Sequence, residues 1–123
     1  GHRRYLPLGT SPKFWYSSEL SVPIASVTTK AERRLYIDPR LLPLLAERRI
    51  ALVDDVISSG RSITAGIELL ARCGITPHAI GAAMLQGTGW HNVQAPALPL
   101  WQERVFGEFT TPVLRWTEAG WTM

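Results

Sequence analysis

A chain of 123 residues holds one domain with a modest core, and 46% apolar against 19% charged residues is the balance of a folded protein, not a disordered one. Thirteen basic and ten acidic residues leave a net charge of +3, too weak to argue for nucleic acid but suited to an anionic small molecule. A single cysteine, Cys73, excludes an internal disulfide and every multi-cysteine metal site, and His2, His78 and His91 are too scattered for a zinc signature.

Tyr5-Leu6-Pro7-Leu8 is a strand-like start, and Gly9 to Lys13 is a loop by composition. Phe14-Trp15-Tyr16 beside it reads first as a core anchor and, more sharply, as a flap that closes over substrate. Val22 to Val27 reads as a strand, with Pro23 favouring an edge or an early position. Leu35-Tyr36-Ile37 is a second extended piece. Asp38-Pro39 then supplies an N-cap and a first-turn proline for a helix with Leu41, Leu42, Leu44 and Leu45 as its apolar face, shortened or distorted by Pro43. Ile50 to Val53 lacks polar alternation, as expected of a central parallel strand covered on both faces. Ile63, Ile67, Leu70 and Ala71 recur at helical spacing, and Gly74 follows the last turn as a C-terminal cap.

Ala79 to Leu85 is another unbroken apolar strand, followed by a loop from Gly87 to Asn92 and by a stretch that Pro96 and Pro99 keep irregular. Val105 to Phe109 and Val113 to Trp116 read as closing strands, split at Thr111-Pro112. The βαβαβ alternation predicts an α/β domain over residues 1–123, with a mostly parallel sheet flanked by helices. In such sheets ligands bind beyond the carboxyl ends of the strands, where Asp54 to Ser62 and Gln86 to Asn92 both fall. No apolar run approaches a membrane span and no secretory pattern is present, so no membrane partner and a cytoplasmic location are expected.

The stretch from Arg49 to Ser62 carries the most chemistry. An apolar run delivers adjacent carboxylates, Asp54 and Asp55; Val56 and Ile57 follow, and Ser58-Ser59-Gly60-Arg61-Ser62 opens into the helical pattern. A helix N-terminus and turn amides hold phosphate, and carboxylates accept hydrogen bonds from sugar hydroxyls, so the segment suits a phosphorylated sugar. A nucleotide P-loop is excluded, because Asp55 stands at the first glycine position and Arg61 at the lysine. Gly87-Thr88-Gly89 is a weak dinucleotide signal, with Asn92 at the third glycine position. No elbow motif surrounds Ser58 or Ser59 to make either a nucleophile. A purely structural acidic pair, capping the next turn, is disfavoured, since two carboxylates beside a buried strand carry a cost that partners must offset.

Residues Leu52 to Ser62 resemble, position for position, the phosphoribosyl-pyrophosphate signature of type I phosphoribosyltransferases: apolar strand, two acids, two apolar residues, a small residue, then Ser/Thr-Gly-x-Ser/Thr. The resemblance implies a Rossmann-like three-layer fold. It also implies that Asp54 and Asp55 contact the ribose hydroxyls, directly or through Mg2+, so that both count as indirect metal residues. Ser59, Gly60, Arg61 and Ser62 would wrap the sugar phosphate. Ser58 lies where hypoxanthine-type enzymes carry an aspartate near the base and adenine- and orotate-type enzymes a small residue. The implied catalytic set is thus Asp54, Asp55 and Ser58, and the donor-binding set runs from these through Ser62. The implied reaction displaces pyrophosphate from the anomeric carbon by a ring nitrogen of a purine-like base, through an oxocarbenium-like transition state.

Tyr5 to Leu8 with Lys13 resembles the strand and flexible-loop entry of adenine phosphoribosyltransferases, although Gly9 and Thr10 replace a basic pair there. The chain resembles the C-terminal two-thirds of a family domain; a fragment, a natural short form and an internal start all fit. Gln86, at the end of the strand that approaches the base in the family, is either a base contact or a loop residue. Trp90, Trp101, Trp116 and Trp121 read as core or dimer packing ahead of base stacking. The expected partners are phosphoribosyl pyrophosphate and a nitrogenous base, in a homo-oligomer. The alternatives are a regulatory module that binds the donor without turnover, and an inactive fragment that pairs with another copy.

Overall fold

The computed structural model describes residues 4–24, 33–112, 115–117 and 120–122. Its centre is a three-stranded sheet in the order β3 (Ala51–Ile57), β4 (Ala79–Gln86) and β5 (Val105–Thr111), parallel throughout. Leu52 pairs with Ile80 and Asp54 with Ala82; Gln86 pairs with Thr111 at the carboxyl end of β4. The α/β class and the parallel sheet are as the alternation of patterns predicts.

Between β3 and β4 runs α1 (Arg61–Arg72), which buries Ile63, Ala65, Gly66, Ile67, Leu69 and Leu70. Each large apolar side chain so buried is worth about 1.5–3 kcal/mol. Gly66 is where the helix meets β3, for a Cβ there would stand 3.1 Å from a Leu52 methyl. These residues join Val22, Ile37, Leu52, Ile57, Ile80, Trp90 and Trp101 in one core. Val53 departs from the expectation of a strand covered on both faces: it is 66% exposed, and Phe106 and Phe109 are exposed as well.

The N-terminal half differs from the sequence expectation in three ways. Tyr5 to Leu8 forms no strand; Leu6 and Leu8 pack against the core, and Gly9 makes an isolated bridge to Tyr36. The strand expected over Val22–Val27 is β1 (Ser21–Ile24), with residues 25–27 outside the described residues. It pairs antiparallel with β2 (Arg33–Tyr36) in a two-stranded ribbon separate from the parallel sheet. Finally, Pro39–Leu45 is a 3-10 helix instead of an α-helix, with the Asp38 carboxylate accepting from the Arg40 amide as the N-cap. Pro43 lies inside it and cannot donate an amide, so regular α-helical bonding fails where Leu41 to Leu45 would otherwise extend it.

At the C-terminal end, β6 (Arg115–Thr117) and β7 (Gly120–Thr122) pair antiparallel. Residues 113 and 114 of the second closing strand, and the side chains of Trp116 and Trp121, lie outside the described residues.

Candidate functional site

The acidic pair lies within β3, not at its end as the sequence suggests: the strand runs on past Asp55 to Ile57, with Val56 and Ile57 still paired to β4. Asp54 is half-buried and Asp55 exposed. The Asp55 amide donates to Asp54 Oδ1 at 2.8 Å, and the Val56 amide donates to Asp55 Oδ1 at 2.8 Å. Each carboxylate therefore commits one oxygen to the main chain. Burial pushes the Asp54 carboxyl up, against the lowering effect of the Asp55 amide. The hydrogen bond from the Asp54 carboxyl holds Asp55 down, helped by the Val56 amide. The two carboxyls influence each other, and the more buried Asp54 is the harder to ionise. A cation or a sugar hydroxyl placed there would offset that cost.

Five residues after Asp55, the chain turns into α1 through Gly60, whose φ of +82° lies in the left-handed region. A side chain is strained at that φ, and glycine is the residue that adopts it without cost. Gly60 is the N-cap, and it makes no side-chain cap hydrogen bond. The first-turn amides of an α-helix have no partner within the helix. Here the turn itself supplies little, since Ser59 Oγ accepts from the Arg61 amide at a long 3.4 Å. The first turn also lacks any acidic residue and begins instead with Arg61, a cation at the positive end of the helix dipole. Amides, the dipole and Arg61 all favour an anion at this place. Ser59 and Ser62 are exposed, while Ser58 and Arg61 are half-buried.

The turn is backed by the loop after β4. Gly89 packs behind Ser58: a Cβ on it would lie 3.6 Å from the Ser58 carbonyl oxygen. A Cβ on Gly60 would lie 3.3 Å from that of Trp90. The loop is held in turn by the Gly87 amide, which donates to the Thr111 carbonyl of β5 at 2.6 Å. Trp90 and Trp101 are buried, in keeping with the core role that their sequence context suggests. Sequence reasoning missed that this packing lies directly beneath the Gly60 turn, because the two segments are far apart in the chain. The nearest signal was Gly87-Thr88-Gly89 before Trp90, which admits a close backbone approach.

The structure brings Asp54 to Ser62 together at one sheet end, but no hydrogen bond or ion pair joins Lys13 to them. Lys13 is exposed, and its carbonyl accepts from the Tyr16 amide at 3.0 Å. The neighbouring aromatics are an anchor: Trp15 Nε1 donates to Asp38 Oδ2 at 3.3 Å, and the Arg40 guanidinium lies 4.2 Å above the Trp15 ring. Arg40, hydrogen-bonded to Asp38, holds that carboxyl down at about 2. Phe14 alone of the three aromatics projects, at 97% exposure. Beside α1, a cavity of about 590 Å3 is lined by residues that include Pro23, Arg61, Thr64, Glu68 and Val93 to Ala97.

Among the described residues, no group of three or more His, Cys, Asp or Glu side chains could hold a metal ion. Two adjacent carboxylates suit magnesium, which keeps several waters and is commonly shared with substrate phosphates. No helix among the described residues is long and apolar enough to cross a membrane.

Comparison with known proteins agrees with this geometry. No curated protein matches the chain. The family model described as "Phosphoribosyl transferase domain" matches residues 5–104, which include β1 to β4, α1 and the whole acidic and glycine-bearing segment. The chain therefore belongs to the phosphoribosyl transferase domain family.

Proposed function

We propose that Asp54 to Ser62 bind magnesium phosphoribosyl pyrophosphate, and that the chain transfers the phosphoribosyl group to a ring nitrogen of a purine-like base in the manner of the adenine-type branch. The observation that carries this reading is the joining of two features within nine residues. A hydrogen-bonded carboxylate pair lies in the second half of β3, and a left-handed glycine opens a helix with no side-chain cap.

In this reading Asp54 and Asp55 accept hydrogen bonds from the two ribose hydroxyls, which fixes the face of the sugar. Amides from Ser59 to Ser62 and the hydroxyls of Ser59 and Ser62 surround the 5-phosphate. Ser58, small and half-buried, leaves room at the anomeric carbon for the incoming base. As the bond to pyrophosphate lengthens, positive charge develops on the ribose, and the two carboxylates stabilise it through the hydroxyls they hold. Magnesium, when bound with the donor, neutralises the departing pyrophosphate. Holding donor and base in line supplies the remainder of the barrier reduction.

A second reading, donor binding without turnover, is favoured by Gly9 and Thr10, which stand where adenine-type enzymes carry a basic pair next to Lys13. Calorimetric titration of magnesium phosphoribosyl pyrophosphate, with Asp55→Asn as control, tests the site. Binding that the substitution abolishes is the expected result; a folded chain that binds no donor refutes it. Pyrophosphate release over a panel of bases then separates the enzyme from the binding module.

A further inference from the structure

We infer that Trp90 is a positioning residue for the Ser58–Ser62 turn, held in place by Gln102 and Trp101; the inference rests on the donor site proposed above. On its helix side the turn is tied by Thr64 Oγ1, which donates to the Gly60 carbonyl at 2.8 Å and the Arg61 carbonyl at 3.1 Å. Before Gly60 its side-chain bonding is weak: the Arg61 amide reaches Ser59 Oγ at a long 3.4 Å, and Gly60 is the residue type with the most backbone freedom. There the turn leans on what lies behind it. The direction in which a Gly60 side chain would point is filled by Trp90 Cβ at 3.3 Å, Trp90 Cα at 3.5 Å and Val93 Cγ2 at 3.5 Å.

That backing is itself tied down by polar groups. Trp90 Nε1 donates to the Gly87 carbonyl at 3.2 Å, which sets the plane of the indole in a site only 8% exposed. Gln102 Nε2 donates to both the Trp90 carbonyl at 3.1 Å and the Val93 carbonyl at 2.8 Å. Trp101 Nε1 donates to the same Val93 carbonyl at 3.0 Å. A purely apolar core would need none of these bonds. Together they clamp the main chain of Trp90 to Val93, the surface on which Gly60 rests. A turn ordered before the donor arrives spares binding the entropy of ordering it.

The test uses the whole 15N-labelled chain as wild type, Gln102→Met and Trp90→Phe. Gln102→Met keeps the volume and removes both clamping bonds. Trp90→Phe keeps an apolar ring and removes the bond to Gly87. Amide order parameters at Ser59 to Ser62 are expected to fall from about 0.85 towards 0.6 in both variants, with β4 unchanged. Donor affinity by calorimetry is expected to weaken about tenfold. A turn that stays as rigid as wild type in both folded variants overturns the inference. Loosening spread equally over β4 also overturns it, since that marks general core packing. A wild-type chain that binds no donor refutes the donor site alone, and the relaxation data still decide the role of Trp90.

Discussion

The two ends of α1 are finished in opposite ways. At the C-terminal end the helix is closed: the Ile75 amide donates to Leu70 O at 2.9 Å and the Gly74 amide to Ala71 O at 3.0 Å, the paired bonds of a Schellman motif. Arg72 lies in that last turn, where the dipole favours a cation, and also pairs with Glu68 at 3.6 Å. At the N-terminal end the helix is open, with a glycine cap, no capping side chain, no acid in the first turn and Arg61 where a cation is unfavourable. One end satisfies its own backbone and stabilises the fold. The other gives up that stability, and in the function proposed above it is the donor's phosphate that finishes it.

Four substitutions separate the ends. Gly60→Val has the largest expected effect. A side chain at φ +82° costs roughly 1–2 kcal/mol, and the Cβ meets Trp90 at 3.3 Å. Thermal melting should show that loss, and calorimetry a loss of donor binding of about tenfold or more. Gly74→Ala is the matched control at the closed end. Its φ of +75° is also left-handed, but a Cβ there meets nothing within 4 Å. Stability should fall by about 1 kcal/mol, with donor affinity unchanged; a change in affinity would break the distinction between the ends.

Arg61→Glu reverses the sign at the open end. An acid in the first turn should raise the stability of the free chain by about 0.3–1 kcal/mol while donor binding is lost, and a drop in stability would show that the N-terminus is not electrostatically unfinished. The smallest effect belongs to Asp54→Asn. Because burial raises the Asp54 pKa, its contribution is present below the ordinary carboxylate value near 3.8 and is lost as pH rises through the higher folded value. Removing the charge should raise neutral-pH stability by under ~0.5 kcal/mol after solvent screening. It should also flatten that part of the stability curve in a pH series of denaturant melts.

The same contrast explains what could be read from the residues alone. β3, α1 and β4 are legible because each carries its own periodicity: an unalternating apolar run in each strand, and Ile63, Ile67 and Leu70 at helical spacing between them. The acidic pair and the glycine turn are legible for a related reason, since their geometry is local to a few consecutive residues. Long-range partners were not. Nothing in Val22 to Ile24 says that the strand pairs with Arg33 to Tyr36 in a separate ribbon, for strand partners are chosen by packing and turn geometry outside the strand. Pro43 gave warning of a distorted helix, although its conversion to 3-10 geometry over Pro39–Leu45 was not foreseen. Trp90 was legible as a core residue and illegible as the support beneath Gly60, a contact that only the fold creates.

In the function proposed above, the donor's phosphate binds at the open end of α1. The most direct measurement is a titration of the 15N-labelled chain with magnesium phosphoribosyl pyrophosphate, following every amide. The largest shifts are expected at Asp55 and at Ser59 to Ile63, with Gly74 and Ile75 unmoved. Shifts confined to the cavity lining at Gln94 to Ala97, or equal at the two ends of α1, would contradict it.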